Sequence, residues 1–271
     1  MTARWRFPWR KALGVLTVVI GLGSVVHANP GQSETCVLSP DHAGVTFPVE
    51  KVDPHWTCRL EAIIGNYTTA GKVGPIRTSL SESLYHYLLD RPPLAAALIN
   101  RLDLGPYKSE ARGPGRFWGD DGEGTEGIVQ LVYEDRTSRI YYLEGSHESR
   151  LLPHIRGKAV VFLRMNPVSD VNRMEAMDST MVSYTKLDNR ILSGLAFLLR
   201  PLIERTVTRK LRKGVETVNR LGQMMRQHPD RVLFEAMDPP AVPDDDVAFL
   251  KEALGKLQTP SGASHQKTPT P

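Results

Sequence analysis

The spacing of apolar and polar positions along the chain first predicts two short helices and then a run of strands. Apolar side chains recur at helical spacing in Ser79–Leu89 and Leu94–Leu102, and Asp90–Pro93 interrupts the pattern between them. Beyond Gly105 the apolar and polar positions alternate, which is typical of strands. The connections are too short for helical crossovers, so an antiparallel sheet is expected. The predicted strands are Tyr107–Arg112, Gly115–Gly119, Gly124–Glu134, Ser138–Ser146, Arg156–Asn166 and Asn172–Leu187.

A long amphipathic helix is predicted after the last strand. Apolar residues trace one stripe at helical spacing through residues 187–227, and Pro229 ends the pattern. Pro201 lies inside the stripe and is expected to kink the helix or to divide it in two. Two short appended elements, Val232–Met237 and Val247–Leu257, are predicted beyond it.

The segment of residues 29–74 has an irregular pattern and contains four prolines. Short strands are expected in it near Val45–Val52 and Thr57–Ile64. The two cysteines of the chain, Cys36 and Cys58, both lie in this segment. In an oxidising compartment we expect them to form a disulfide that contributes about 3 kcal/mol, the alternative being two unpaired thiols.

The start of the chain has the three parts of a secretory signal peptide. Residues 1–11 carry four cations and no acid, Ala12–Val26 is apolar, and Ala28 offers a small residue for cleavage. The apolar run is shorter than the roughly 20 residues of a stable membrane anchor, although an uncleaved anchor remains the alternative. We therefore predict a periplasmic or secreted protein, cleaved near Ala28.

The net charge of the chain belongs mostly to this leader. The formal net charge is +4, and residues 1–28 contain four cations and no acid, so the mature chain is near neutral. A nucleic-acid-binding role requires a basic surface on the folded part, so no nucleic-acid partner is predicted.

The strongest charge asymmetry of the mature chain lies in the long helix. Between Arg200 and Arg226, eight cations face two acids. One interpretation is the solvated face of an amphipathic helix, and the other is transient docking on anionic lipid headgroups. The candidate membrane-docking residues are Arg205, Arg209, Lys210, Arg212 and Lys213.

The order of elements resembles the helix-grip fold of the START-like superfamily, which includes the polyketide cyclases. The stretches Leu84–Pro92 and Arg190–Lys213 look like the first and last helices of that group, and the resemblance covers residues 79–225. It implies an α+β fold in which a curved antiparallel sheet wraps around a long C-terminal helix. The predicted START-like domain spans 75–228; the segment 229–257 is appended, and 258–271 is a disordered tail rich in Pro, Thr and Ser.

The resemblance also implies a cavity between the sheet and the long helix, holding a lipid or another hydrophobic small molecule. The tips of Tyr133, Tyr142 and Tyr184 would orient this ligand, while the alternative for each large apolar residue is simple core packing. The candidate ligand-binding residues are Trp118, Tyr133, Tyr142, Phe162 and Tyr184 on the strands and Leu195, Leu198, Leu199 and Leu202 on the helix.

Two other functions stay open. The first is an enzyme of the aromatase or cyclase type, with Glu144, Arg164 or Lys186 as candidate polar groups in the same cavity. The second is an envelope scaffold with a filled core. No catalytic motif, cofactor or metal site is predicted, because the histidines lack metal spacing and the acidic run at Gly119–Gly124 lacks the spacing of a calcium loop.

Overall fold

The computed structural model describes residues 36–148, 154–169, 174–188 and 196–258. The predicted leader, residues 1–28, and the predicted tail beyond residue 258 lie outside the described residues. No helix among those described is both long enough and apolar enough to span a membrane.

The described chain forms an α+β fold built on one seven-stranded antiparallel sheet with the order β3-β9-β8-β7-β6-β5-β4. This confirms the α+β class and the antiparallel sheet. A separate ribbon pairs β1 (Asp41–His42) with β2 (Val45–Thr46). The sheet consists of β3 (Thr69–Thr78), β4 (Lys108–Ala111), β5 (Arg116–Asp120), β6 (Thr125–Glu134), β7 (Ser138–His147), β8 (Ile155–Ser169) and β9 (Glu175–Leu187).

The described helices confirm the two short helices and the long one that the apolar spacing predicts. The long helix continues through Pro201 without division. The six α-helices of the described chain are α1 (Pro54–Ile64), α2 (Glu82–Asp90), α3 (Pro92–Arg101), α4 (Ala196–Gln227), α5 (Pro229–Met237) and α6 (Asp244–Gln258), and Val49–Lys51 forms one 3₁₀ turn.

The strand expected at Thr57–Ile64 is wrong, because this stretch belongs to α1. The side chain of Asp53 caps that helix by accepting a hydrogen bond from the backbone N–H of His55 at 2.7 Å, and Pro54 occupies the first turn. A capping aspartate followed by proline is a helix-start signal that outweighs a short alternating pattern.

The predicted domain boundary between residues 74 and 75 falls inside strand β3. Gly74 has a positive φ of 113°, and a Cβ there would lie 2.5 Å from the carbonyl oxygen of Ser179, so only glycine fits. The register of β3 against β9 shifts between Val73 and Ile76. Because β3 is an edge strand, it tolerates Pro75 and this irregularity.

The two faces of the sheet are covered by different parts of the chain. On the face we call inner, Leu163, Met165 and Met177 pack with helices α2 to α6. On the outer face, Phe162 and Val182 pack with residues 36–64, here called the N-terminal cover. The elements expected as appendages, α5 and α6, therefore belong to the inner core. Their buried residues there are Val232, Ala236, Val247, Leu250 and Leu254.

The disulfide between Cys36 and Cys58 is present and confirms the predicted pairing. The two Cα atoms lie 5.0 Å apart and are separated by 22 positions in the chain. The bond ties the start of the N-terminal cover to α1. Such a bond is typical of proteins in an oxidising, extracytoplasmic compartment.

Candidate functional site

The aromatic residues predicted to line a cavity against the long helix lie on the outer face of the sheet instead. Phe162 is 0% exposed, and its ring stacks on that of His42 in the N-terminal cover, with centroids 4.0 Å apart. The Nδ1 atom of His42 is hydrogen-bonded to the Tyr184 hydroxyl at 3.2 Å. The rings of Tyr142 and Trp56 lie 5.3 Å apart. These side chains face the cover, so the prediction that they face α4 is corrected.

The remaining predicted ligand residues are also separated from one another. Tyr133 packs against the same outer core as Phe162. Trp118 pairs with Ile128, which pairs with Glu144, and directly paired residues share a face, so Trp118 lies on the outer face too. Leu202, on α4, is 36% exposed. Leu195 and the side chains of Leu198 and Leu199 lie outside the described residues.

The polar groups considered for an enzyme lie on the outer face as well. Lys186 donates to the carbonyl oxygen of Ala62 in the N-terminal cover at 2.8 Å. Arg164 donates to the carbonyl oxygen of Thr46, also in the cover. Glu144 accepts a hydrogen bond from the Tyr142 hydroxyl at 3.1 Å. The contacts of Lys186 and Arg164 hold the cover on the sheet, and Glu144 lies on the same outer face as Tyr142, so the three groups do not share a space with α4.

The middle of the inner face is less tightly packed than the outer face of the same strands. Ile140, Val160, Phe162 and Val182 on the outer face are at most 1% exposed. On the inner face Val161 and Leu163 are 8% and 5% exposed. Six apolar side chains around them are only half-buried, although helix α4 lies on this side of the sheet. These residues are Phe117, Val129, Leu131, Tyr141, Leu143 and Met181.

The side of α4 that faces the sheet shows the same pattern along its length. The side chains at both ends of this side are buried: Ile203 is 4%, Leu221 1% and Met225 0% exposed. Its middle, residues 207–218, is mostly half-buried. We call the region between this middle part of α4 and the inner face of β5 to β9 the central space.

Gly214 marks the central space on the helix. At helical spacing it falls in the middle of the stripe that includes Ile203, Val207 and Leu221. A Cβ at Gly214 would meet no described atom within 4 Å. At Gly222, two turns further on, a Cβ would meet Leu80 at 3.0 Å. The helix is thus packed closely at its C-terminal end and leaves a gap at Gly214.

A small set of polar groups borders this apolar region. Arg139 is only 3% exposed; its Nη2 lies 2.6 Å from Asp90 and 3.3 Å from Glu134. The guanidinium of Arg139 also interacts with the Tyr141 hydroxyl, although its Nε and Nη1 atoms form no hydrogen bond of standard geometry with a described residue. Burial raises the pKa of the neighbouring Tyr141 hydroxyl, and the positive charge of Arg139 opposes that rise. Tyr141 therefore stays a neutral hydrogen-bond donor beside a buried cation.

A hydroxyl group without a partner lies in the same cross-strand row. Ser183, Val161 and Tyr141 are directly paired across β9, β8 and β7. The Ser183 hydroxyl is buried and has no hydrogen-bond partner among the described residues. Polar groups that are buried without a partner are uncommon in proteins and are often satisfied by a ligand or by water.

The basic residues of α4 divide into two groups. Lys210 forms an ion pair with Asp121, and Lys213 with Glu123, in the turn between β5 and β6. Burial alone would raise the pKa of Asp121, but hydrogen bonds from Lys210 and from the turn backbone outweigh it and lower that pKa. The hydrogen bond from Lys213 lowers the pKa of Glu123. Two of the five predicted membrane-docking cations are therefore neutralised within the protein.

The other three cations, Arg205, Arg209 and Arg212, make no ion pair with a described residue. Together with Pro201, Thr208 and one acid, Glu204, they line an outward groove of about 510 Å³ on α4. Three or four positions separate successive arginines, so they lie on one side of the helix. By helical spacing, this side is opposite Gly214.

The comparisons with known proteins leave the family open. No protein-family model matches the chain, and no curated protein matches it. A solved structure described as a conserved protein from Geobacillus kaustophilus is similar, with 13% sequence identity and a TM-score of 0.36. The match covers 57% of this chain and 95% of that chain. At this TM-score the likeness carries no argument about fold or function.

Proposed function

We propose that the chain is an exported binding protein that holds a lipid or another hydrophobic small molecule in the central space, in the manner of START-like helix-grip proteins. The observation that carries the proposal is the gap at Gly214, where a Cβ would meet no described atom within 4 Å. Protein interiors are close-packed, so a gap at the centre of a helix that packs on a sheet favours a bound occupant.

The chemistry of the lining supports a hydrophobic ligand with one polar end. The half-buried apolar side chains of the inner face offer the predominantly apolar surface that small-molecule sites have. Tyr141 and Ser183 supply hydroxyl groups at one row of this surface. In this proposal Tyr141 takes the orienting role that the sequence suggested for Tyr133, Tyr142 and Tyr184.

The export part of the proposal combines the signal-peptide pattern of residues 1–28 with the disulfide. The bond between Cys36 and Cys58 fits an oxidising compartment. The cyclase alternative loses the groups named for it, because Glu144, Arg164 and Lys186 are engaged with the outer face and the N-terminal cover.

The proposal is tested first on the protein from its own envelope. Native mass spectrometry of the mature chain, followed by organic extraction and lipid analysis, should find a stoichiometric hydrophobic species. A protein that is consistently empty and also takes up no fluorescent lipid would overturn the proposal and favour the filled-core scaffold.

A substitution inside the space gives the second test. Gly214→Leu places a side chain in the gap and should reduce binding of a fluorescent fatty acid at least about ten-fold, since a filled site cannot also hold the probe. The matched control is Glu216→Leu, because Glu216 is exposed on the same helix. Equal binding by both variants and the wild type would show that the ligand does not occupy the central space.

A further inference from the structure

We propose that the turn between β5 and β6, residues 120–123, is an electrostatic latch on α4 that an anionic lipid surface opens. This inference rests on the proposed function, since the latch would control exchange of the ligand in the central space. Lys210, which the latch holds, lies one helical turn from Gly214. Opening the latch would therefore open the space at its β5–β6 side.

The turn is shaped so that its carboxylates reach the helix. The Oδ1 atom of Asp121 accepts hydrogen bonds from the backbone N–H groups of Glu123 at 2.8 Å and Thr125 at 3.0 Å. Its other oxygen, Oδ2, accepts from Lys210. The side chain of Asp120 accepts from the N–H of Gly122 at 2.8 Å. One oxygen of Asp121 thus holds the turn in shape while the other engages α4.

The latch bridges α4 and a distant part of the sheet. The close backbone contacts of α4 with the sheet are concentrated on β3, whereas β5 is five strands away in the sheet order. Five inter-strand steps of about 4.8 Å amount to about 24 Å in a flat sheet, which is beyond the reach of a lysine side chain. The sheet therefore curves toward α4, and the ion pairs of Lys210 and Lys213 join its curved part to the helix.

The exposure of the ion pairs makes them open to competition. The side chains of Lys213 and Glu123 are each 41% exposed, whereas those of Lys210 and Asp121 are 17% and 19% exposed. An exposed ion pair is weak and is screened by salt. An external anion can therefore displace Glu123 from Lys213 first and then reach Lys210.

The adjacent arginines indicate what kind of anion opens the latch. Arg205, Arg209 and Arg212 lie on the same helix and line the outward groove without an ion pair to a described residue. Three cations along one side of a helix, against the single acid Glu204 in the same groove, fit an extended anionic surface such as a bilayer with acidic headgroups. The same surface repels Asp120, Asp121 and Glu123, so attraction of the helix and repulsion of the turn both favour opening.

The test follows release of a bound fluorescent fatty acid from the mature protein to vesicles of phosphatidylcholine, with or without phosphatidylglycerol. We expect the anionic vesicles to accelerate release from the wild type. The double variant Asp121→Asn with Glu123→Gln should release the probe about five-fold faster to neutral vesicles and respond less to anionic ones. The triple variant Arg205→Gln, Arg209→Gln and Arg212→Gln should keep its release rate to neutral vesicles and lose the response to anionic ones.

Controls separate this proposal from the proposed function. The double variant Glu110→Gln with Glu126→Gln removes two exposed acids from the same half of the sheet and should behave as the wild type. A higher salt concentration should also accelerate release of the fatty acid from the wild type to neutral vesicles, and this test requires no variant. If the probe binds but its release rate does not depend on vesicle charge, on salt or on Asp121 and Glu123, the latch proposal is overturned while the proposed binding function stands. If the wild type binds no probe, the proposed function itself fails.

Discussion

Tyr141 and Tyr142 are neighbours in strand β7, and their rings lie on opposite faces of the sheet. Tyr141 packs against the inner core that the helices cover, whereas the ring of Tyr142 lies 5.3 Å from that of Trp56 in the N-terminal cover. The same chemical change at these two adjacent positions therefore probes the two faces separately.

Replacing Tyr141 with phenylalanine should weaken binding of a fatty-acid probe about five-fold, since a lost hydrogen bond contributes about 1 kcal/mol. Tyr142→Phe should leave the affinity unchanged, because Tyr142 faces the cover. Fluorescence titration of the two variants and the wild type measures the difference. Three equal affinities would exclude Tyr141 as the polar anchor.

Two glycines of α4 should respond in opposite directions to alanine. Gly214→Ala should raise the free energy of unfolding by about 0.5–1 kcal/mol, because alanine favours a helix and its Cβ meets no described atom within 4 Å. Gly222→Ala should lower it or gain nothing, since its Cβ would lie 3.0 Å from Leu80 and 3.1 Å from Thr78. Urea unfolding compares them: a loss of stability in Gly214→Ala would contradict the gap at Gly214, and an equal gain at both positions would contradict the close contact at Gly222.

Removing the disulfide should loosen the N-terminal cover. Replacing both Cys36 and Cys58 with serine should lower the free energy of unfolding by about 3 kcal/mol, because the closed loop no longer restricts the unfolded chain. The reduced wild type provides the matched comparison and should lose a similar amount. Stability that is unchanged in both proteins would show that the cover is held by packing alone.

Buried His42 should make stability depend on pH. Burial lowers its pKa below the ordinary histidine value of 6.5, so the unfolded state binds more protons between the folded pKa and 6.5. Stability should therefore fall as the pH drops below about 6.5, by up to about 1.4 kcal/mol per pH unit, and level off below the folded pKa.

The variant His42→Gln isolates this contribution. Glutamine keeps a polar group that can bond to the Tyr184 hydroxyl, and it does not titrate. Burial also lowers the pKa of His147, so part of the pH dependence should remain in the variant. Urea unfolding between pH 7.5 and pH 5 measures both proteins, and an identical slope would exclude His42 as the source.

Much of the fold was accessible from local patterns. The two short helices, the six strands from residue 107 onward and the C-terminal end of the long helix were predicted close to their observed bounds, because each depends on the spacing of apolar side chains within one element. The disulfide was predicted from the presence of two cysteines and from the oxidising compartment that the signal-peptide pattern implies. Apolar spacing does not predict helix α1, because its apolar residues over Thr57–Ile64 are too few to separate strand from helix. It does not predict β3 either, since this strand straddles the end of the irregular N-terminal segment.

The face on which each strand residue lies was decided by tertiary structure alone. Strands β7 and β8 carry apolar side chains on both faces, as Tyr141 and Tyr142 or Phe162 and Leu163 show. Alternation tells which residues share a face, but it does not tell which face meets α4 when neither face is polar. The N-terminal cover settled this by occupying the outer face. Likewise, only the curvature of the sheet brought Asp121 to Lys210. Local patterns were enough to predict most elements from residue 79 onward, their order and the disulfide, but not α1 or β3. Packing between distant segments determined which side chains border the central space.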